Sequence, residues 1–222
     1  MKPTEQQINT LQTYLRKTLN YKESYEEVYD HIISALADRP DSGNFQDTVN
    51  DIIVQDFGGH DNLLQVEQGI GSAITTDTYV RFRTYLTKLL RLPALLYLAG
   101  IAIAFYVFYS SVNLPPLMLK ASVLLVVFVP SMLALFRFFH VGYVTGNKAR
   151  SVRDLLFSNI AWLPVMAFGN ITLIIPMAFE NVDQIWSGNY PVLTTLCMLA
   201  AIVYNIAVFK LYREEVKILK SN

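Results

Sequence analysis

Three histidines and one cysteine are the residues of this 222-residue chain best suited to catalysis or metal binding, and their spacing assembles neither. His31 follows Asp30, His60 precedes Asp61, and His140 stands three positions after Arg137. An Asp30–His31 couple could be half of an acid–base or metal pair, but its place in an amphipathic run reads as a solvated helix histidine. Asp61, after a double glycine, reads as a helix N-cap. His140 with Arg137 could hold a lipid phosphate, and reads more simply as an interfacial residue. The chain has no HExxH, CxxC, Walker, GxSxG or glycine-rich phosphate-loop pattern. Cys197 is single and lies in an apolar run, so neither an intrachain disulfide nor a cysteine-built zinc site can form. These residues predict a protein that is not an enzyme, with no catalytic residue, cofactor or metal.

Charge is more informative. The net charge is zero, yet Met1–Tyr79 carries thirteen acidic and five basic residues, a net of −8, while Val80–Asn222 carries five acidic and thirteen basic, a net of +8. An acidic head is repelled by phosphates and excludes nucleic acid as its partner. Glu23, Glu26, Glu27 and Asp30 form an acidic run that is mainly a solvated helix face and a candidate protein-binding face. Arg81, Arg83, Lys88 and Arg91 are interleaved with Val80, Phe82, Tyr85, Leu86 and Leu89, a pattern that fits contact with anionic lipid at a membrane surface.

The elements that carry these residues follow from hydropathy. A bilayer core needs about 20 apolar residues of helix. Four segments qualify: Leu92–Val112, Leu117–Phe139, Leu155–Phe179 and Pro191–Tyr212. Lys120, Arg137 and Lys210 are their only charges, and all lie near segment ends. Core helices of a water-soluble protein would show a polar face. With 53% hydrophobic and 16% charged residues, the chain reads as an all-α membrane protein. The reading places a helical domain over 1–76, a basic amphipathic connector over 77–91, and a four-helix transmembrane bundle over 92–222. The first ninety residues hold no apolar signal-peptide core, so the first span is expected to be a membrane helix rather than a cleaved leader.

Lysine and arginine set the orientation. They stand before the first span, between the second and third (Lys148, Arg150, Arg153), and after the fourth (Arg213, Lys217, Lys220). The turn around Asn113–Pro116 and the loop Glu180–Tyr190 have none. Both termini are thus expected in the cytoplasm of a bacterial cell, with the protein multi-pass in its inner membrane. Tyr109, Trp186, Tyr190 and Tyr212 lie near span ends, where amphipathic rings favour the head-group layer. Pro115 and Pro116 suit a helix start. Within the spans, Asn159, Asn170 and Asn205 read either as a ligand or ion path or as interhelical hydrogen bonding, the simpler choice. Pro130, Pro164 and Pro176 could bend the second and third spans. No acidic residue lies at mid-depth, which argues against proton-coupled transport.

The head divides into short amphipathic helices. Thr4 with Gln7, and Ser24 with Glu27, fit capping boxes. Ile8, Leu11, Leu15 and Leu19 stripe a first helix, Tyr25, Val28, Ile32 and Leu36 a second, and Phe45, Val49, Ile52 and Ile53 a third. The cluster 39–43 breaks the chain after the second helix, and Gly58-Gly59 closes the third. A fourth helix starts near Asp61 and is weakened at Ile70-Gly71-Ser72. Leu11, Leu15, Val28, Ile32, Ile52 and Phe57 are the expected core. The segments LQTYLRKTL, SYEEVYDHIISAL and NFQDTVNDIIVQDFGGHDNLLQVE, over about Leu11–Gln68, resemble the HAAS-type helical domain that prefixes some bacterial permeases. Phe57-Gly58 falls at that domain's turn, and His60 stands where proline is common. The resemblance implies a regulatory or protein-binding module.

Three functions fit this pattern. The leading one is a non-enzymatic inner-membrane protein with a cytoplasmic regulatory or protein-binding head, partnered by lipid and by another protein. The others are a small transporter or permease-associated subunit, and a lipid-acting membrane enzyme using His140 or Arg137.

Overall fold

The described residues form an all-helical structure. The computed structural model describes residues 2–39, 44–112, 114–141, 150–170 and 191–220. The helices are α1 (Glu5–Thr18), α2 (Lys22–Ala37), α3 (Phe45–Phe57), α4 (His60–Leu89), α5 (Ala94–Ser111), α6 (Pro116–Val141), α7 (Val152–Gly169) and α8 (Pro191–Lys220). They fall into two compact units, one of residues 1–78 and 142–155, the other of 79–141 and 156–222. Part of the 39–43 turn cluster lies outside the described residues. So do Asn113, Lys148, the Glu180–Tyr190 loop with Trp186, Pro176, and the stretch 171–179 that ends the predicted third span.

In the head unit, α1 begins at a formed capping box. The Thr4 side chain accepts from the Gln7 N–H, and the Gln7 side chain accepts from the Thr4 N–H. The second expected box does not form: α2 starts two residues earlier, at Lys22, which puts Ser24 inside the helix and fully buried. Leu11, Leu15, Val28, Ile32 and Ile52 are buried together with Leu19, Leu36, Val49, Ile53 and Leu63. Phe57, expected among them, is half-buried at the edge of this cluster. It sits at the last turn of α3, with its ring 5.0 Å from that of His31.

Gly58 (φ +76°) and Gly59 (φ +100°) end α3 in the left-handed region, where a side chain would be strained. A Cβ at Gly58 would also run into the Asn62 amide nitrogen. Asp61 falls in the first turn of α4 rather than at its cap. The weakening expected at Ile70-Gly71-Ser72 does not interrupt the helix, and α4 runs unbroken from His60 to Leu89. A helical glycine costs about 1 kcal/mol; Leu63 before Gly69 and Gly71 and Phe82 after them are each buried in an apolar cluster.

In the second unit, α5, the Ala121–Val141 part of α6 and the Pro191–Glu215 part of α8 are each long and apolar enough to cross a membrane. These three match the first, second and fourth predicted spans. α7 covers the first part of the third, as far as the described residues go. α8 makes its widest contacts with α5 and α6. Two apolar clusters hold the unit together. One joins Phe82, Ala134, Phe157, Ile160, Ala161, Ala207, Val208 and Leu211, and the other joins Tyr109, Val123, Val127, Phe168, Met198 and Ala201.

Candidate functional site

In the head, two carboxylates organise the chain between helices. Glu67, on α4 and 5% exposed, accepts from the Asn20 N–H (2.7 Å), the Tyr21 N–H (3.0 Å) and the Asn20 side-chain amide (3.0 Å). These donors lie in the link between α1 and α2, where no helical carbonyl can serve them. The Lys22 N–H then donates to the Arg150 carbonyl at 3.1 Å. Glu23 completes the arrangement. It accepts from the Val152 N–H (3.0 Å), the Arg153 N–H (3.4 Å) and the Ser151 hydroxyl. An anion at the N-terminus of α7 satisfies free N–H groups and complements the helix dipole. The head unit therefore includes the first turn of α7.

This divides the predicted acidic face. Glu23 turns to an internal cap, and Glu26 pairs with Lys22 at 3.3 Å. Glu27 and Asp30 are exposed. His31 pairs with Asp56 of α3 at 3.0 Å rather than with its neighbour Asp30. His60 Nδ1 meets the Tyr14 hydroxyl at 2.6 Å, and burial raises the Tyr14 phenol above its ordinary pKa. Between α1 and α3 lies a groove of about 530 Å³, floored by Leu11, Val49 and Ile53 and edged by Tyr14, Phe45 and uncharged polar residues.

The basic quartet is also divided. Arg83, Lys88 and Arg91 are exposed. Arg81 instead pairs with the fully buried Glu215 at 2.9 Å and approaches Glu214 at 4.0 Å. Burial, and then the hydrogen bond and charge of Glu214, push the Tyr85 phenol up to about 12. Arg137 is 5% exposed, its guanidinium lying 5.8 Å from the Phe157 ring and 6.0 Å from the Tyr212 ring. His140 is exposed and stacks on Phe136. Arg137 and His140 therefore differ in their surroundings.

The two prolines inside helices have a specific chemistry. Proline has no N–H, so it leaves the carbonyl four residues earlier without its helical donor. Pro130 in α6 does this to Val126, and Pro164 in α7 does it to Ile160. Two consecutive side chains of α8 supply the missing donors. The Asn205 amide donates to the Val126 carbonyl at 2.9 Å, and the Tyr204 hydroxyl donates to the Ile160 carbonyl at 2.7 Å. Ser131, just after the first proline, donates to the Ala161 carbonyl at 3.2 Å. Sequence reading finds Asn205, Pro130 and Pro164 separately and misses both Tyr204 and the connection. The signal is the pair of carbonyls freed at fixed offset. Asn159 on α7 and Asn170 just past its end are different: both are exposed.

Among the described residues the arrangement is all-helical, with three helices able to cross a membrane and an acidic helical unit. Comparison with known protein families, with curated proteins and with solved structures finds no match to this chain.

Proposed function

We propose that this is a non-enzymatic, multi-pass protein of a bacterial inner membrane whose cytoplasmic head binds another protein and passes the state of that complex to its membrane helices. The observation that carries the reading is the Glu23 cap: a head carboxylate holds the first turn of α7, a helix that continues into the apolar unit. A partner that engages the neighbouring Glu27 and Asp30 acts directly beside that cap. α4 likewise begins in the head unit and ends in the apolar one. In this reading α7 with residues 171–179 is a fourth span, both termini are cytoplasmic, and Arg83, Lys88 and Arg91 meet anionic lipid. The resemblance of Leu11–Gln68 to the HAAS-type prefix points the same way, toward a regulatory module.

Topology is tested by reporter fusions at Ile185 and after Asn222. Alkaline phosphatase should be active at Ile185 and silent at the C-terminus; the reverse sinks the model. Partner binding is tested in living cells with a photo-crosslinking residue at Glu27 or Asp30. A discrete protein adduct at these positions, absent with the same residue at Val54, supports the reading. Equal adducts at all three remove it.

The paired helix prolines favour a second reading, a small transporter or permease-associated subunit, since helices whose freed carbonyls are held by single side-chain hydrogen bonds can rearrange. Flux into proteoliposomes of the purified chain separates the two.

A further inference from the structure

The three span asparagines are satisfied unequally. Asn205 donates to the carbonyl that Pro130 frees. Asn159 and Asn170 are exposed, with no hydrogen-bond partner among the described residues. They share a stripe with the exposed Leu155, Leu163 and Met166, at helical steps of three and four. Eleven residues separate the two amides, which is close to three turns and about 16 Å along one face. We infer that this face of α7 docks against the same face of a second copy within the bilayer. The inference rests on the reading of α7 as a membrane span.

In hydrocarbon an unpaired amide is costly, so an exposed asparagine there calls for a partner. A primary amide carries both donors and an acceptor, so it is complementary to itself. Two copies inserted in the same direction are related by an axis along the membrane normal. That symmetry puts each residue at the depth of its own twin. Asn159 then meets Asn159 of the other copy, Asn170 meets Asn170, and Leu163 and Met166 fill the space between the two rungs. A lipid tail supplies no donor to either amide, and an unrelated helix would need polar groups at both of these depths. The second copy meets both requirements by symmetry alone.

The test uses the full chain in native membranes, with Cys197→Ala and one added cysteine at a time. Leu163→Cys and Met166→Cys should give oxidative cross-links between differently tagged copies. Leu125→Cys on α6 and Ile103→Cys on α5, both highly exposed, should not. In reconstituted bilayers, Asn159→Leu with Asn170→Leu should weaken association about tenfold, the expectation for two membrane amide pairs, while the thermal unfolding curve stays in place. No cross-link at 163 and 166, cross-linking equal to the controls, or an unchanged association constant in the double variant overturns the inference. Treating the Leu163→Cys variant with a membrane-impermeant maleimide tells the two failures apart. A thiol that is shielded but does not cross-link leaves the span in place and removes the dimer. A thiol that the reagent labels removes the span reading, and the dimer with it.

Discussion

The head and the apolar unit solve the same problem with opposite chemistry. In the head, the groups left over are backbone N–H donors in a linker and at a helix start, and carboxylates serve them: Glu67 for Asn20 and Tyr21, Glu23 for Val152 and Arg153. In the apolar unit, the groups left over are carbonyls freed by prolines, and neutral donors serve them: Asn205 and Tyr204. Three N–H donors replace the hydration that the buried Glu67 gives up, whereas in an apolar surrounding a neutral donor avoids the larger desolvation cost. The Arg81–Glu215 pair is the exception, and it joins α4 to the last turns of α8 at the end of an apolar stretch.

The sharpest way to break this contrast is at its exception. Arg81→Ala leaves Glu215 buried without that partner and should destabilise the full chain in detergent by about 3 kcal/mol. Replacing Glu215 by Leu in the same chain should recover most of the loss, as read by thermal unfolding. An additive double variant would show that the pair is not coupled. In the head, Glu67→Ala should cost about 3 kcal/mol, because two linker N–H groups lose a charged acceptor. Glu67→Gln keeps an acceptor and should cost less than half as much in denaturant melts.

The apolar unit should respond more mildly. Asn205→Leu should cost about 1 kcal/mol. In a Pro130→Ala background the Val126 carbonyl regains its helical donor, and the same substitution should become nearly neutral. An unchanged cost would mean that Asn205 matters for packing and not for the freed carbonyl. The smallest effect concerns pH. The Tyr85 phenol is held protonated in the fold, up to about 12. Its contribution is fully present below the ordinary tyrosine value near 10 and is lost as pH rises toward about 12. Tyr85→Phe should flatten the fall in melting temperature over that window and change nothing at neutral pH.

Much of the fold is written in local pattern. Leu11, Leu15, Val28, Ile32 and Ile52 recur at helical spacing, and the structure buries all five. Apolar length alone marks α5, α6 and α8. Local pattern fails where a long-range contact decides. Ser24-x-x-Glu27 has the form of a capping box, but Tyr21 and Lys22 are fixed by Glu67 and Arg150, which starts α2 early. Phe57 matches the core spacing, yet it lies where the helix turns away and so packs at the rim. The role of Asn205 is half legible: Pro130 announces a free carbonyl at Val126, but only the packing of α8 tells which amide reaches it.

The Glu23 cap has a consequence for how the protein is made. Ser151 follows Glu23 by 128 positions, so at about 5–20 residues per second the ribosome adds it about ten seconds later. The Glu67 cradle closes much sooner, since Glu67 follows Asn20 by only 47 positions. The head thus matures in two stages. Its core and its first linker assemble while the apolar helices are still being synthesised, and its last hydrogen bonds wait for the start of α7. A nascent head leaves Glu23 uncommitted beside Glu27 and Asp30; in the finished protein that carboxylate has been withdrawn.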